Sequence, residues 1–138
     1  MKDKKLFRVS EKLRENTISR IKEILESRDE ILLAMVFGSF VEKEYARDVD
    51  IAVYLAYSVN EFKALEYSEK LSREIEKKIG LLIDVIVLNN VDEGILMRAI
   101  LKGRKLLVRD SILYHKLRML ALEIKNNFLL KHKNRKPR

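Results

Sequence analysis

The chain of 138 residues has no cysteine, a single proline and four glycines. Without cysteine there is neither a disulfide framework nor a thiolate metal site. No segment approaches the roughly 18 to 20 consecutive apolar residues that a membrane span requires, which excludes a spanning helix. The opening Met1-Lys-Asp-Lys-Lys5 leads into Leu6-Phe-Arg-Val9 without the apolar stretch and small-residue cleavage site of a secretion signal. These absences predict a soluble, cytoplasmic protein with no membrane contact. Histidine is scarce as well. His115 and His132 each lack a second histidine at ligand spacing and read as structural or solvent-facing groups.

Acidic residues are missing from one region. Residues 125–138 carry six Lys or Arg and no Asp or Glu, within a chain of net charge +8. Such a tail can touch nucleic acid or an acidic partner, and a solvated, disordered terminus has the same composition. The length predicts a single domain over residues 1–130 followed by a disordered basic tail at 131–138. It is too short for a catalytic domain plus a separate acceptor domain.

What is present begins with Gly38-Ser39, which ends the apolar run Ile31-Leu-Leu-Ala-Met-Val-Phe37. A strand that stops on Gly-Ser presents backbone amides and a hydroxyl to phosphate oxygens. Asp48-Val49-Asp50 then opens a second apolar run. Carboxylates at i and i+2 of a strand project from the same face and repel one another unless a cation lies between them. Oxygen ligands suit magnesium. A third carboxylate, Asp84, interrupts the run Leu81-Leu-Ile-Asp84-Val-Ile-Val-Leu88. A charge in a buried strand is expensive unless paired or metal-bound, so Asp84 is expected to join the other two. Arg47 and Lys43 are candidates for neutralising a triphosphate or plain surface charges, and Tyr45 for stacking on a base or simple packing. Ala52, on the same strand face as Asp50, is expected to leave room for a nucleotide.

With these residues the chain resembles the minimal nucleotidyltransferases of the DNA polymerase beta superfamily, whose signature is a Gly-Ser turn, an Asp-x-Asp pair and a later third Asp. The resemblance runs from about Met35 to Asp110 and takes in Ile100-Leu-Lys-Gly103 and Val108-Arg-Asp110. Two departures stand out. The interval from Gly-Ser to the first Asp is about two residues shorter than usual, and Val41-Glu-Lys-Glu44 occupies the place where a glycine is often found. The resemblance implies an α/β fold, a small mixed sheet with flanking helices. Asp48, Asp50 and Asp84 would be both the metal ligands, for two magnesium ions, and the catalytic residues. Gly38, Ser39 and Arg47 would bind the nucleotide, with ATP as substrate. It further implies a HEPN-domain toxin as partner, an antitoxin role, and AMP addition to a tyrosine of that toxin. The alternative is an antitoxin that blocks its partner by contact, with a non-catalytic nucleotide site.

Periodicity supplies the remaining elements. Ser10 is expected to cap a helix with Leu13, Ile18, Ile21 and Leu25 inward, ending between Ser27 and Asp29. Asn60 caps a second helix, with Ala64, Leu65, Ser68, Leu71, Ile75 and Ile79 along one side, closed by Gly80 in the left-handed conformation. Asp92 caps a short helix with Ile95, Leu96, Ala99 and Ile100 inward, closed by Gly103, and Lys105 to Val108 forms an edge strand. The last helix starts near Asp110-Ser111 and carries Leu113, Leu117, Leu120, Ile124 and Phe128. Met119, Leu122 and Leu129 widen its apolar surface, so the same helix is either an ordinary core helix or a contact for another chain in an oligomer.

Overall fold

The computed structural model of the chain describes residues 5–133. In chain order the elements are β1 (Phe7–Arg8), α1 (Glu11–Glu26), β2 (Ile31–Phe37), α2 (Ser39–Glu42), β3 (Tyr45–Ala46) and β4 (Val49–Leu55). There follow α3 (Glu61–Ile79), β5 (Ile83–Val87), α4 (Glu93–Met97), a π turn (Arg98–Lys102), β6 (Arg104–Val108) and α5 (Ser111–Lys133). Residues 134–138 of the expected basic tail lie outside the described residues.

Four strands form a mixed sheet in the order β5-β4-β2-β6. β2 is antiparallel to β4 and β6, whereas β4 and β5, joined through α3, run parallel. β2 and β4 are central and covered on both faces, which is why they read as near-continuous apolar runs rather than alternating ones. On one face Val36, Ile51, Val53 and Val85 meet Ile21 and Leu25 of α1 and Leu71 and Ile75 of α3. On the other, Leu33, Met35, Phe37 and Ala52 meet Leu96, Ala99, Ile100, Tyr114 and Ala121. Asp50 and Asp84 alternate onto this second face with Ala52 and Ile86.

The expected caps are in place. Ser10 Oγ accepts from Leu13 N at 3.1 Å, Asn60 Oδ1 from Lys63 N at 2.8 Å and Asp92 Oδ1 from Ile95 N at 2.9 Å. Each satisfies an otherwise orphaned amide, worth about 1 kcal/mol. Gly80 ends α3 at φ 83°.

Gly103 closes the helical segment as expected, with φ −80°. Its role is close approach, since a Cβ there would stand 2.2 Å from Ala99 O and 3.0 Å from Val36 O. The short helix does not simply stop but widens into the π turn. Leu65 is exposed, because α3 turns it away from the sheet. Along α5 the packed side chains are Tyr114, Leu117, Ala121 and Ile124, while Leu120 and Phe128 face outward. Apolar residues on both flanks of this helix made two adjacent stripes equally readable, and contact with α4 and the π turn selects the one through Tyr114. The two-stranded ribbon of β1 and β3 was not anticipated, since two-residue strands leave no periodic signal.

Candidate active site

The site lies where β2 ends and β4 and β5 begin. Antiparallel pairing places Phe37 opposite Asp50, and parallel pairing places Asp50 beside Asp84. Asp48 immediately precedes β4. One carboxylate oxygen from each of Asp48, Asp50 and Asp84 lies within 4.8 Å of the others. Asp48 and Asp50 are half-buried and Asp84 is exposed. Asp84 is therefore not the buried charge that its apolar run predicts. β5 is an edge strand, and the position faces solvent. What brings Asp84 to the cluster is strand register.

Gly38 leaves β2 at φ 79°, in the left-handed region that suits glycine. A Cβ at this position would lie 2.3 Å from Asp50 Oδ2. Glycine is thus required twice, once by its backbone conformation and once by the carboxylate beside it. Ser39, half-buried, is the first residue of α2, and Val41 N and Glu42 N both donate to Gly38 O at 3.1 Å. Arg47 is exposed, next to Asp48 in the link from β3 to β4. Ala52 is fully buried among the apolar side chains that hold α4 and α5, so its small size serves helix packing and not a nucleotide, a second correction. Tyr45 is exposed on β3 opposite Arg8. Among the histidines, His115 is exposed, and the His132 side chain lies outside the described residues.

The shortened connection between the Gly-Ser turn and the aspartates is held from outside. β1 pairs with β3, and Val9 N donates to Glu44 O at 2.6 Å. Arg14 of α1 donates from Nε to Phe40 O and from Nη2 to Lys43 O, both at 2.9 Å. One guanidinium thus closes the carbonyl end of α2, using the fork geometry that lysine lacks. Sequence reading missed Arg14, and no local signal existed, because its partners lie 26 and 29 residues away. The Arg98 guanidinium, brought in by the π turn, lies 6.0 Å from the centre of the Phe37 ring. Arg14→Ala is expected to lower stability by roughly 2–3 kcal/mol, since two carbonyls lose a charged donor. The same change should raise the KM for nucleotide more than it lowers kcat, because it loosens the turn and leaves the carboxylates in place. Thermal melts and steady-state kinetics check both, and Arg14→Lys should recover only part of the loss.

A cluster of carboxylate oxygens with no nitrogen or sulfur donor suits a hard divalent cation, and three such groups this close repel one another without one. Beside a glycine turn and the Ser39 hydroxyl, the arrangement has parts suited to a metal–triphosphate pair. A mixed sheet bearing a Gly-Ser turn and this acidic triad defines a nucleotidyltransferase-type protein. Residues 19–112 match the Polymerase beta, nucleotidyltransferase family, and the chain belongs to that family.

No curated protein matches the sequence. Solved structures do. The chain is similar to one in the structure of a tri-AMPylated Shewanella oneidensis HEPN toxin in complex with its MNT antitoxin, at TM-score 0.63 and 15% identity, covering 87% of this chain and 92% of that one. It is similar to one in the toxin–antitoxin MntA–HepT at TM-score 0.62 and 14% identity, covering 86% and 92%. A toxin–antitoxin structure with AMP-PNP gives TM-score 0.62 and 18% identity, covering 86% and 93%. At these identities the likeness is one of fold.

Proposed function

We propose that this nucleotidyltransferase-family protein is a magnesium-dependent adenylyltransferase that moves AMP from ATP to a tyrosine hydroxyl of a HEPN-domain toxin, and so acts as its antitoxin in the cytoplasm. The observation that carries the reading is the convergence of Asp48, Asp50 and Asp84 beside the Gly38 turn. The structures whose fold it shares support the choice of partner and nucleotide, since they contain a tri-AMPylated HEPN toxin and AMP-PNP respectively.

Asp48, Asp50 and Asp84 would hold the magnesium ions, which when bound offset charge on the phosphates and on the entering and leaving oxygens. Gly38 permits close backbone approach, Ser39 offers a hydroxyl to a phosphate oxygen, and Arg47 adds positive charge at the cluster. Asp84, the most exposed of the three aspartates, takes the proton of the acceptor hydroxyl as its oxygen bonds to the α-phosphorus. The bond from that phosphorus to the β-phosphate oxygen breaks, and pyrophosphate leaves. In this reading the transferase domain spans residues 1–130.

A blocking antitoxin is the second reading. The exposed Met119, Leu120, Leu122 and Leu129 on α5 favour it, because they offer an apolar face for a partner or a second copy. Stoichiometry separates the two. A small amount of wild-type protein with ATP and magnesium is expected to silence a large excess of the cognate toxin's ribonuclease activity and add AMP to its intact mass. Asp84→Asn should lose this while still binding the toxin. If the variant protects as well as wild type, only at equimolar concentration and without a mass change, the transferase reading fails.

A further inference from the structure

A groove of about 790 Å³ runs between α3 and the outer edge of β5. Ala64, Leu65 and Val85 give it apolar walls, and Asp84, one member of the carboxylate cluster, reaches its lining at the strand edge. Its charge runs against that of the whole chain. Glu61, Glu69, Glu76 and Asp84 line it against a single guanidinium, Arg73, itself 3.5 Å from Glu69, while the chain carries +8 overall.

The strand edge within this groove is closed to strand addition. Ile83 N donates to Glu76 Oε2 at 3.1 Å and Val85 N to Ser72 Oγ at 3.0 Å. Side chains of α3 thus take the amides that an added strand would pair with. An occupant has to be recognised by its side chains.

We infer that this groove seats a cationic peptide segment of the protein acceptor and delivers its hydroxyl to Asp84. The delivery step rests on the transferase reading; the peptide seat does not. Lysine or arginine heads of the segment meet Glu61 and Glu69, and their aliphatic stems cover Leu65, which is 58% exposed. The same carboxylates repel a nucleic-acid backbone.

The test uses a short fluorescein-labelled peptide rich in Lys and Leu with one Tyr, and its counterpart with Glu for Lys, followed by anisotropy at low ionic strength. Wild-type protein is expected to bind the cationic peptide and not the acidic one. The Glu61→Lys/Glu69→Lys double variant should weaken that binding by about tenfold or more while keeping its affinity for ATP with magnesium, which certifies the fold. Glu23→Lys/Glu26→Lys on α1, outside the groove, controls for general charge and should leave binding unchanged. Equal loss in the α1 variant, no loss in the groove variant, or capture of the acidic peptide overturns the inference. No transfer step enters this measurement. Peptide binding that depends on Glu61 and Glu69, in a protein that fails to modify its toxin, would refute the transferase reading alone.

Discussion

Replacing Asp48 and Asp50 together by asparagine is expected to reduce nucleotidyl transfer by about a thousandfold or more, since several kcal/mol of charge stabilisation depend on metal ions that two neutral amides hold poorly. The fold should survive. The neighbouring Ile51, Val53 and Leu55 are buried by packing that does not involve the two carboxyl groups. In EDTA the variant should melt at a higher temperature than wild type, because three carboxylates within 4.8 Å repel one another in the metal-free protein. Adding magnesium should raise the melting temperature of wild type only. Intact-mass measurement of AMP addition, circular dichroism and paired melts with and without magnesium give the answer. A variant that melts lower in EDTA would mean that the aspartates are held by protein contacts that outweigh their repulsion, and the metal assignment would weaken with it.

The second large effect concerns Gly38, and Gly80 supplies its control. Both have positive φ, 79° and 83°. Alanine at Gly80, with ψ 9°, meets the left-handed penalty of about 1–2 kcal/mol, and at Gly38, with ψ −160°, it enters a region that essentially only glycine populates. Only at Gly38 does the added methyl collide, with Asp50 Oδ2 at 2.3 Å, whereas a Cβ at Gly80 meets nothing within 4 Å. Gly38→Ala is therefore expected to push the Asp50 carboxylate out of the cluster, abolishing metal-dependent ATP binding, and to destabilise the protein by more than backbone strain alone. Gly80→Ala should show the strain and keep ATP affinity. Titration calorimetry with ATP and magnesium, alongside denaturant unfolding, separates the two components. Unchanged ATP affinity in Gly38→Ala would show that Asp50 does not have to occupy its observed position.

The corrections at Asp84 and along α5 share a cause. Periodicity states how often a side chain returns to a face, and it is silent on how thickly that face is covered. The sequence predicts a buried Asp84 because it interrupts an apolar run, and Ile83, Val85 and Val87 of that run are indeed buried. They are buried by the sheet's other face, and β5 leaves the Asp84 side open. On α5 the density of leucines permitted two stripes, and only contact with α4 and the π turn chose between them.

The sequence by itself determined the elements whose causes are local. Ser10, Asn60 and Asp92 announce helix starts because each cap acts within three residues. The long apolar runs announce central strands because both faces need cover, and the Gly-Ser turn with its Asp-x-Asp pair marks the site because side-chain alternation fixes their common face. Tertiary structure decided what depends on separation along the chain. Parallel pairing of β4 with β5 brings Asp84 to Asp50 across 34 positions, and Arg14 reaches Phe40 and Lys43 from another helix. The ribbon of β1 with β3 holds the shortened connection, and Gly38 becomes irreplaceable only once Asp50 folds against it. Contacts of this kind follow from which surfaces pack together, and a linear pattern carries no record of that choice.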